Sequence, residues 1–217
     1  MAGKPGIREI LKIYAHNSLL TRLHVGARFI TCPFLTIEQF VPREGVIVDY
    51  GCGHGVFAHL LAMTSSKRKI YAFDISPTKM EEAVKTCRPN AAVDFIDKLD
   101  IDKHIGEADC IIALDVLCYL SARQRKVLLD SIFKNLKKGA KLIIKDIAKL
   151  TSLRYLWLYL QEVIVVKLLK LTYANALNFF KPHELCYLLR RIGFDVQIFN
   201  LNHFYPHVLY VCKKSKS

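Results

Sequence analysis

The sequence predicts an α/β chain built on a doubly wound, mostly parallel sheet. Three observations point there. An apolar, β-branched run, Val46-Ile47-Val48-Asp49-Tyr50, leads straight into glycines at 51, 53 and 55 and then into the helical segment Val56 to Leu61. A second apolar run, Lys69-Ile70-Tyr71-Ala72-Phe73-Asp74, ends in an acid nineteen residues beyond Gly55. Strand-like and helix-like segments then alternate up to Asp146. Right-handed crossovers make such a sheet parallel, and its ligands lie outside the carboxyl ends of the strands.

Residues 1–42 precede the first strand. Ile7 to Tyr14 and Leu20 to Ile30 have helical periodicity, and Asn17 or Ser18 caps the second helix. Pro33 and Pro42 bracket a short helix, Phe34 to Phe40. After the Asp74 strand, Ser76 fits an N-cap and Pro77 the first position of a helix reaching Cys87. Ala91 to Ile96 is a weaker third strand, and Ala108 to Leu114 a fourth. Ser121 caps a helix carrying Val127, Leu128, Ile132 and Leu136; Lys137-Lys138-Gly139-Ala140 is a turn, and Lys141 to Asp146 the fifth strand. Residues 181–192 read as an amphipathic helix stopped by Gly193. Phe194 to Leu201 and Phe204 to Cys212 read as a hairpin whose tip holds Asn202, His203, Phe204, Tyr205 and Pro206. One domain results, with a helical lid (1–42), a ligand-binding core (43–147), an apolar helical insertion (148–180) and a C-terminal helix and hairpin (181–217).

The glycine turn carries the chemistry. Glycine permits positive φ there and lets backbone approach a ligand where a Cβ would collide. The spacing is G-x-G-x-G, not the G-x-G-x-x-G that delivers a helix N-terminus to a pyrophosphate. Asp49, two residues before the first glycine, repels a phosphate and suits a cationic amine. Asp74 is placed to accept hydrogen bonds from both hydroxyls of a ribose. An amine, a ribose and no phosphate together suggest S-adenosylmethionine.

With Asp49-x-Gly51-x-Gly53-x-Gly55 and Asp74 in place, the sequence resembles the class I S-adenosylmethionine-dependent methyltransferases. The resemblance implies a Rossmann-like methyltransferase fold with seven strands, the last antiparallel. It implies that Asp49, Gly51, Cys52, Gly53, Gly55, Asp74 and Ile75 bind the cofactor. It also implies an adenine-contacting acid after the third strand; the choice lies among Asp97, Leu99 and Asp100, and Asp97 is taken. Asp115 and Val116, in Asp115-Val116-Leu117-Cys118-Tyr119-Leu120, look like the fourth motif, beside the transferred methyl. Leading helices in this family often fold over the cofactor, which makes Tyr14, His24 and Arg28 candidates to face the site, while His54 serves as a spacer in the turn. Methyl transfer needs a base only if the acceptor must lose a proton; Tyr119, His203 and Tyr205 are the candidates.

The totals constrain partners. Thirty-two Lys and Arg against 19 Asp and Glu give a net charge of +13, which favours nucleic acid or an anionic membrane surface. Seven cysteines, an odd number without a C-x-x-C pair, argue against a disulfide framework or zinc site, no histidine spacing suggests a metal, and no signal peptide is read at the N-terminus. The expected setting is the cytosol. Fourteen of the 19 residues from Leu153 to Leu171 are apolar, but Gln161 and Glu162 at the centre argue against a transmembrane span. This segment has three readings: a wall of the acceptor pocket, a surface that meets an anionic membrane through residues 151–171, or a homodimer interface. The first functional expectation is a methyltransferase acting on a hydrophobic acceptor, lipid-like or carrier-attached, with the inner membrane surface as one setting. The alternatives are an RNA methyltransferase and a non-catalytic binding protein of the same fold. Nucleic acid is disfavoured because Leu114-Asp115-Val116-Leu117 stands where aminopurine-type enzymes carry N/D-P-P-Y/F. The intact glycine turn and both acids count against a non-catalytic protein.

Overall fold

The computed structural model describes residues 5–87, 92–147, 178–202 and 206–214. Its seven strands form one sheet in the order β3-β2-β1-β4-β5-β7-β6: β1 (Gly45–Tyr50), β2 (Arg68–Phe73), β3 (Val93–Phe95), β4 (Cys110–Leu114), β5 (Lys141–Ile147), β6 (Phe194–Asn202) and β7 (Pro206–Lys214). β1 pairs in parallel with β2 and β4, and β2 with β3. β7 runs antiparallel to both β5 and β6. The doubly wound, mostly parallel sheet with an antiparallel last strand is therefore present as expected. Two compact units, residues 1–112 and 113–217, divide inside β4.

In the first unit, α1 (Ile7–Ile13) and α2 (Leu19–Thr31) form a helical pair. Ser18 caps α2, its hydroxyl accepting from Thr21 N. The short α3 (Phe34–Ile37) runs into a 3-10 turn, Glu38–Phe40. That segment is pinned by Arg68, whose buried guanidinium donates to Glu38 Oε1 at 2.9 Å, Pro42 O at 2.7 Å and Leu61 O at 2.9 Å. Burial is the largest influence on Glu38 and opposes its ionisation, but hydrogen bonds from Arg68 and Thr64 and the charges of Arg68 and Arg43 together outweigh it and hold the carboxyl below its usual range. α4 (Val56–Thr64) follows the glycine turn and is buried along most of its length, as a helix on a parallel sheet must be. α5 (Pro77–Val84) begins as its cap predicts, with Ser76 Oγ accepting from Lys79 N. It stops three residues short of Cys87. α6 (Lys98–Glu107) was not expected: half of its residues are charged and it buries only Ile101 and Ile105.

In the second unit, α7 (Ala122–Asn135) opens with a capping box between Ser121 and Gln124. It buries Leu129 and Ile132, while Val127 is exposed. α8 (Pro182–Ile192) ends at Gly193, φ 119°, and β6 and β7 pair from Phe194↔Lys214 to Asn202↔Pro206. Residues 151–171 and most of the expected 148–180 insertion lie outside the described residues, as do His203 and Tyr205. Among the described residues, no helix is long and apolar enough to cross a membrane.

Candidate active site

In the first unit, the site forms where β1 and β2 end. Asp49 is the penultimate residue of β1, in register with Ala72 of β2 and Ile112 of β4. It is 2% exposed, and its Oδ2 is buried without a hydrogen-bond partner among the described residues. Burial, and then the charge of Asp74, push its carboxyl up to about 7; Arg28 of α2 pulls the other way. A buried carboxylate oxygen with no donor is costly, and a protonated amine resolves that cost with charge and hydrogen bond together.

The turn after β1 is anchored from below. Gly51 N and Cys52 N both donate to Phe73 O, at 2.7 and 2.9 Å. Asp74 Oδ2 accepts from Gly53 N at 2.8 Å and Oδ1 from Ser76 N at 2.9 Å. Asp74 thus ties the glycine turn to the start of α5, and each oxygen keeps a lone pair for a further donor. Gly53 (φ 59°) has nothing within 4 Å of the position a Cβ would take. Gly55 (φ 78°) differs, because a Cβ there would meet Phe95 Cζ at 2.5 Å. Gly53 therefore faces open space, whereas a side chain at Gly55 would collide with β3. The Cys52 thiol is pushed up by burial and by Asp49 and Asp74, and so stays neutral.

The leading helices reach this turn. Tyr14, fully buried after α1, donates its hydroxyl to His54 O at 2.6 Å. The His24 ring of α2 packs on the His54 ring, centroids 4.9 Å apart, and burial brings both histidines down to about 4, so both are neutral near pH 7. Tyr14, His24 and Arg28 all act on the turn, Arg28 through its charge at Asp49. The helical pair is fastened to α5 by Glu82, whose Oε2 accepts from Asn17 Nδ2 at 3.0 Å and from Thr21 Oγ1 at 3.1 Å. Ile75 and Leu99 stand 69% and 94% exposed on the segments after β2 and β3. Asp97 is the exposed N-cap residue of α6 and makes no side-chain cap hydrogen bond.

The second unit holds the other expected residues, at the end of β4. Asp115 has φ 56°, the one positive value outside glycine among the described residues. Its carboxylate receives both hydrogen bonds of the buried Lys145 Nζ, at 2.8 and 2.7 Å, and its N–H donates to Lys145 O at 2.7 Å. Val116 and Tyr119 are half-buried around the 3-10 turn Leu117–Tyr119. Asp146, which the sequence reading did not single out, is 1% exposed; Oδ2 accepts from Leu117 N at 3.1 Å and Oδ1 is unpartnered among the described residues. Burial first, then Asp115, raise its carboxyl above the ordinary range. Arg125 lies over the Phe180 ring, 4.6 Å from its centroid. The signal was a Lys-Asp pair closing an otherwise apolar strand, where charge needs a partner.

Two features of the first unit fit the cofactor expected from the sequence: the donor-less Oδ2 of Asp49 awaits a cation, and the space over Gly53 admits one closely. Comparison with known proteins agrees. Residues 30–197 match the model of a methyltransferase domain family. A ribosomal protein L11 methyltransferase of Paraburkholderia phytofirmans is 29% identical over 111 residues, 51% of this chain and 35% of that protein. O-methyltransferase 3 of Dictyostelium discoideum is 28% identical over 124 residues, 52% of this chain and 28% of its own length. The chain thus spans about a third of the curated relatives it matches. Among solved structures, human N-acetylserotonin methyltransferase in complex with S-adenosylmethionine superposes with a TM-score of 0.66 at 17% identity, over 97% of this chain and 57% of that one.

Proposed function

The chain belongs to the methyltransferase domain family, and from that premise we propose that it is an S-adenosylmethionine-dependent methyltransferase whose acceptor is a hydrophobic small molecule, lipid-like or carrier-attached, met at a membrane surface. The observation that carries the reading is the buried, donor-less carboxylate oxygen of Asp49 at the tip of β1. When bound, S-adenosylmethionine supplies an activated methyl on a sulfonium, and the protein contributes alignment. Asp49 holds the methionine amine. Gly51 and Gly53 let the backbone approach, and Asp74 accepts from the ribose with the lone pairs that Gly53 N and Ser76 N leave free. Ile75 and Leu99 offer apolar surface to a purine, and Asp97 a carboxylate at its edge. Tyr119, His203 and Tyr205 are proposed for orienting or deprotonating the acceptor.

The acceptor half of the proposal rests on composition: a net charge of +13 with a mean hydropathy of +0.21, and the apolar run Leu153 to Leu171 with its flanking lysines. Calorimetric titration with S-adenosylhomocysteine tests the cofactor half, and silence there sinks it. Incubation with methyl-labelled cofactor and separate lipid, RNA and protein fractions tests the other half. Label in the lipid fraction is the expected result; label confined to RNA or protein overturns the acceptor assignment.

A further inference from the structure

α2 has two faces of opposite duty. Its inner face carries buried Thr21 and Val25, with His24 and Arg28 acting on the glycine turn. Its outer face is apolar and, among the described residues, exposed: Leu19 is 70% exposed, Leu20 63%, Leu23 64% and Ile30 54%. At the helical repeat these four and exposed Ala27 fall within an arc of roughly 100°, almost opposite Val25. Leu11 of α1 lies along one border of the arc, its Cδ2 3.8 Å from where a Cβ on Gly26 would be. Arg22 flanks the same side. Residues 7–31 carry four basic residues (Arg8, Lys12, Arg22 and Arg28) against a single acid, Glu9.

We propose that the outer face of α2 is a docking surface for an anionic lipid bilayer, lying in the plane of the headgroups with Leu19, Leu20, Leu23 and Ile30 inserted and Arg8, Lys12 and Arg22 against lipid phosphates. An apolar arc bordered by an arginine on a helix too short to span is the pattern of an interfacial helix. Thirteen residues give a helix about 20 Å long, well under a membrane's thickness. Charge decides between occupants. A second copy seated isologously would set the basic pair against its own like, and four aliphatic side chains cover far less than the ~800 Å² per partner that a stable interface buries. An anionic surface instead gains from charge and insertion together. Because His24 on the inner face packs on His54 of the glycine turn, docking would hold the cofactor site at a fixed height over the lipid. The inference deepens the lipid-like-acceptor reading and rests on it for choosing a membrane among anionic partners.

The test is co-sedimentation of the full chain with phosphatidylcholine vesicles, with and without about a third phosphatidylglycerol. The protein is expected to pellet with the anionic vesicles at low salt and to be released as salt rises. Leu20→Glu with Leu23→Glu should cut the pelleted fraction about tenfold or more, and Arg22→Glu should cut it severalfold, with S-adenosylhomocysteine binding unchanged in both. A wild-type chain that stays in the supernatant overturns the proposal, as does a double variant that pellets like wild type. So does a dimer in sedimentation equilibrium that Leu23→Glu dissociates without any vesicle binding. Cofactor binding without pelleting sinks the docking surface alone; pelleting without cofactor binding sinks the methyltransferase reading alone.

Discussion

The charge of Asp74 helps keep the proton on Asp49, one strand away. Asp74 accepts hydrogen bonds from two backbone donors, Gly53 N and Ser76 N, whereas Asp49 is buried with one oxygen unpartnered among the described residues and is pushed up to about 7.

Binding of S-adenosylhomocysteine should strengthen as pH rises through about 7, because the amine is received by the ionised form of Asp49. Below that point affinity should fall by up to about tenfold per pH unit, with proton release on binding. Stability of the ligand-free protein runs the other way. The folded-state pKa lies above the unfolded value, so the stabilisation from the retained proton is complete below about 4 and lost as pH rises towards 7. Asp49→Asn should raise ligand-free stability at pH 8 by about 2–4 kcal/mol and weaken binding by about tenfold or more. Calorimetry in buffers of different ionisation enthalpy and thermal melts across pH read both effects. A pH-independent affinity would mean that Asp49 does not hold the amine.

Gly53→Ala and Gly55→Ala should separate ligand access from packing. At Gly53 a Cβ meets open space, so the cost to the fold is only that of positive φ, about 1–2 kcal/mol, while cofactor binding should collapse. At Gly55 the same strain is joined by a collision with Phe95, and the loss should exceed about 3 kcal/mol. Phe95→Leu should recover part of it. If Gly53→Ala binds S-adenosylhomocysteine normally, the ligand does not pass over that residue.

Much of this arrangement was legible in the chain. Val46 to Tyr50 and Lys69 to Asp74 announced themselves because a strand buried on both faces must be apolar and β-branched, and Ser18, Ser76 and Ser121 each cap the helix they precede. α6 was missed because two isoleucines four apart, in a segment dense with charge, anchor a helix without producing a periodic signal. The guanidinium of Arg68 was missed because its partners come from residues 38, 42 and 61, which no local window contains. α2 was legible as a helix but not in its orientation: Leu20 to Ile30 is apolar on two sides, and periodicity does not say which side is buried. The Asp115–Lys145 pair was hidden for the reason that hides most tertiary charge pairs, a separation of thirty residues.

Glu82 should control how firmly the α1–α2 pair is held over the glycine turn. Lys85, Asn17 and Thr21 all reach its carboxylate, and together they bring it down to about 2. Glu82→Ala should cost about 1–2 kcal/mol in global stability but a larger share of local protection, so amide exchange in residues 7–31 should quicken more than in β1 or β2. Because the acid is depressed, its contribution is present above about 4.5 and is lost as pH falls towards 2. Cofactor affinity should drop severalfold at neutral pH through the loosened Tyr14 contact to His54 O. Equal exchange rates in variant and wild type would show that the pair is held elsewhere.

The Asp115–Lys145 pair should behave as a buried unit in a double-mutant cycle. Lys145 is fully buried, so Asp115→Ala leaves an ammonium without a counter-charge and should cost about 3–5 kcal/mol. Asp115→Asn keeps a residue that tolerates φ 56° and isolates the charge from the backbone strain. Lys145→Met combined with Asp115→Asn should recover most of the loss, since an apolar side chain of similar length replaces the stranded cation. Lys145 also lowers the Asp146 carboxyl, which burial and Asp115 raise. Removing Lys145 alone should therefore let Asp146 keep its proton to higher pH, and the stability lost as pH rises through that titration should be lost later. Denaturant titrations between about pH 5 and 9 read both effects. Additive single-variant costs, with no coupling above about 1 kcal/mol, would mean that the two charges are held by their other partners and not by each other.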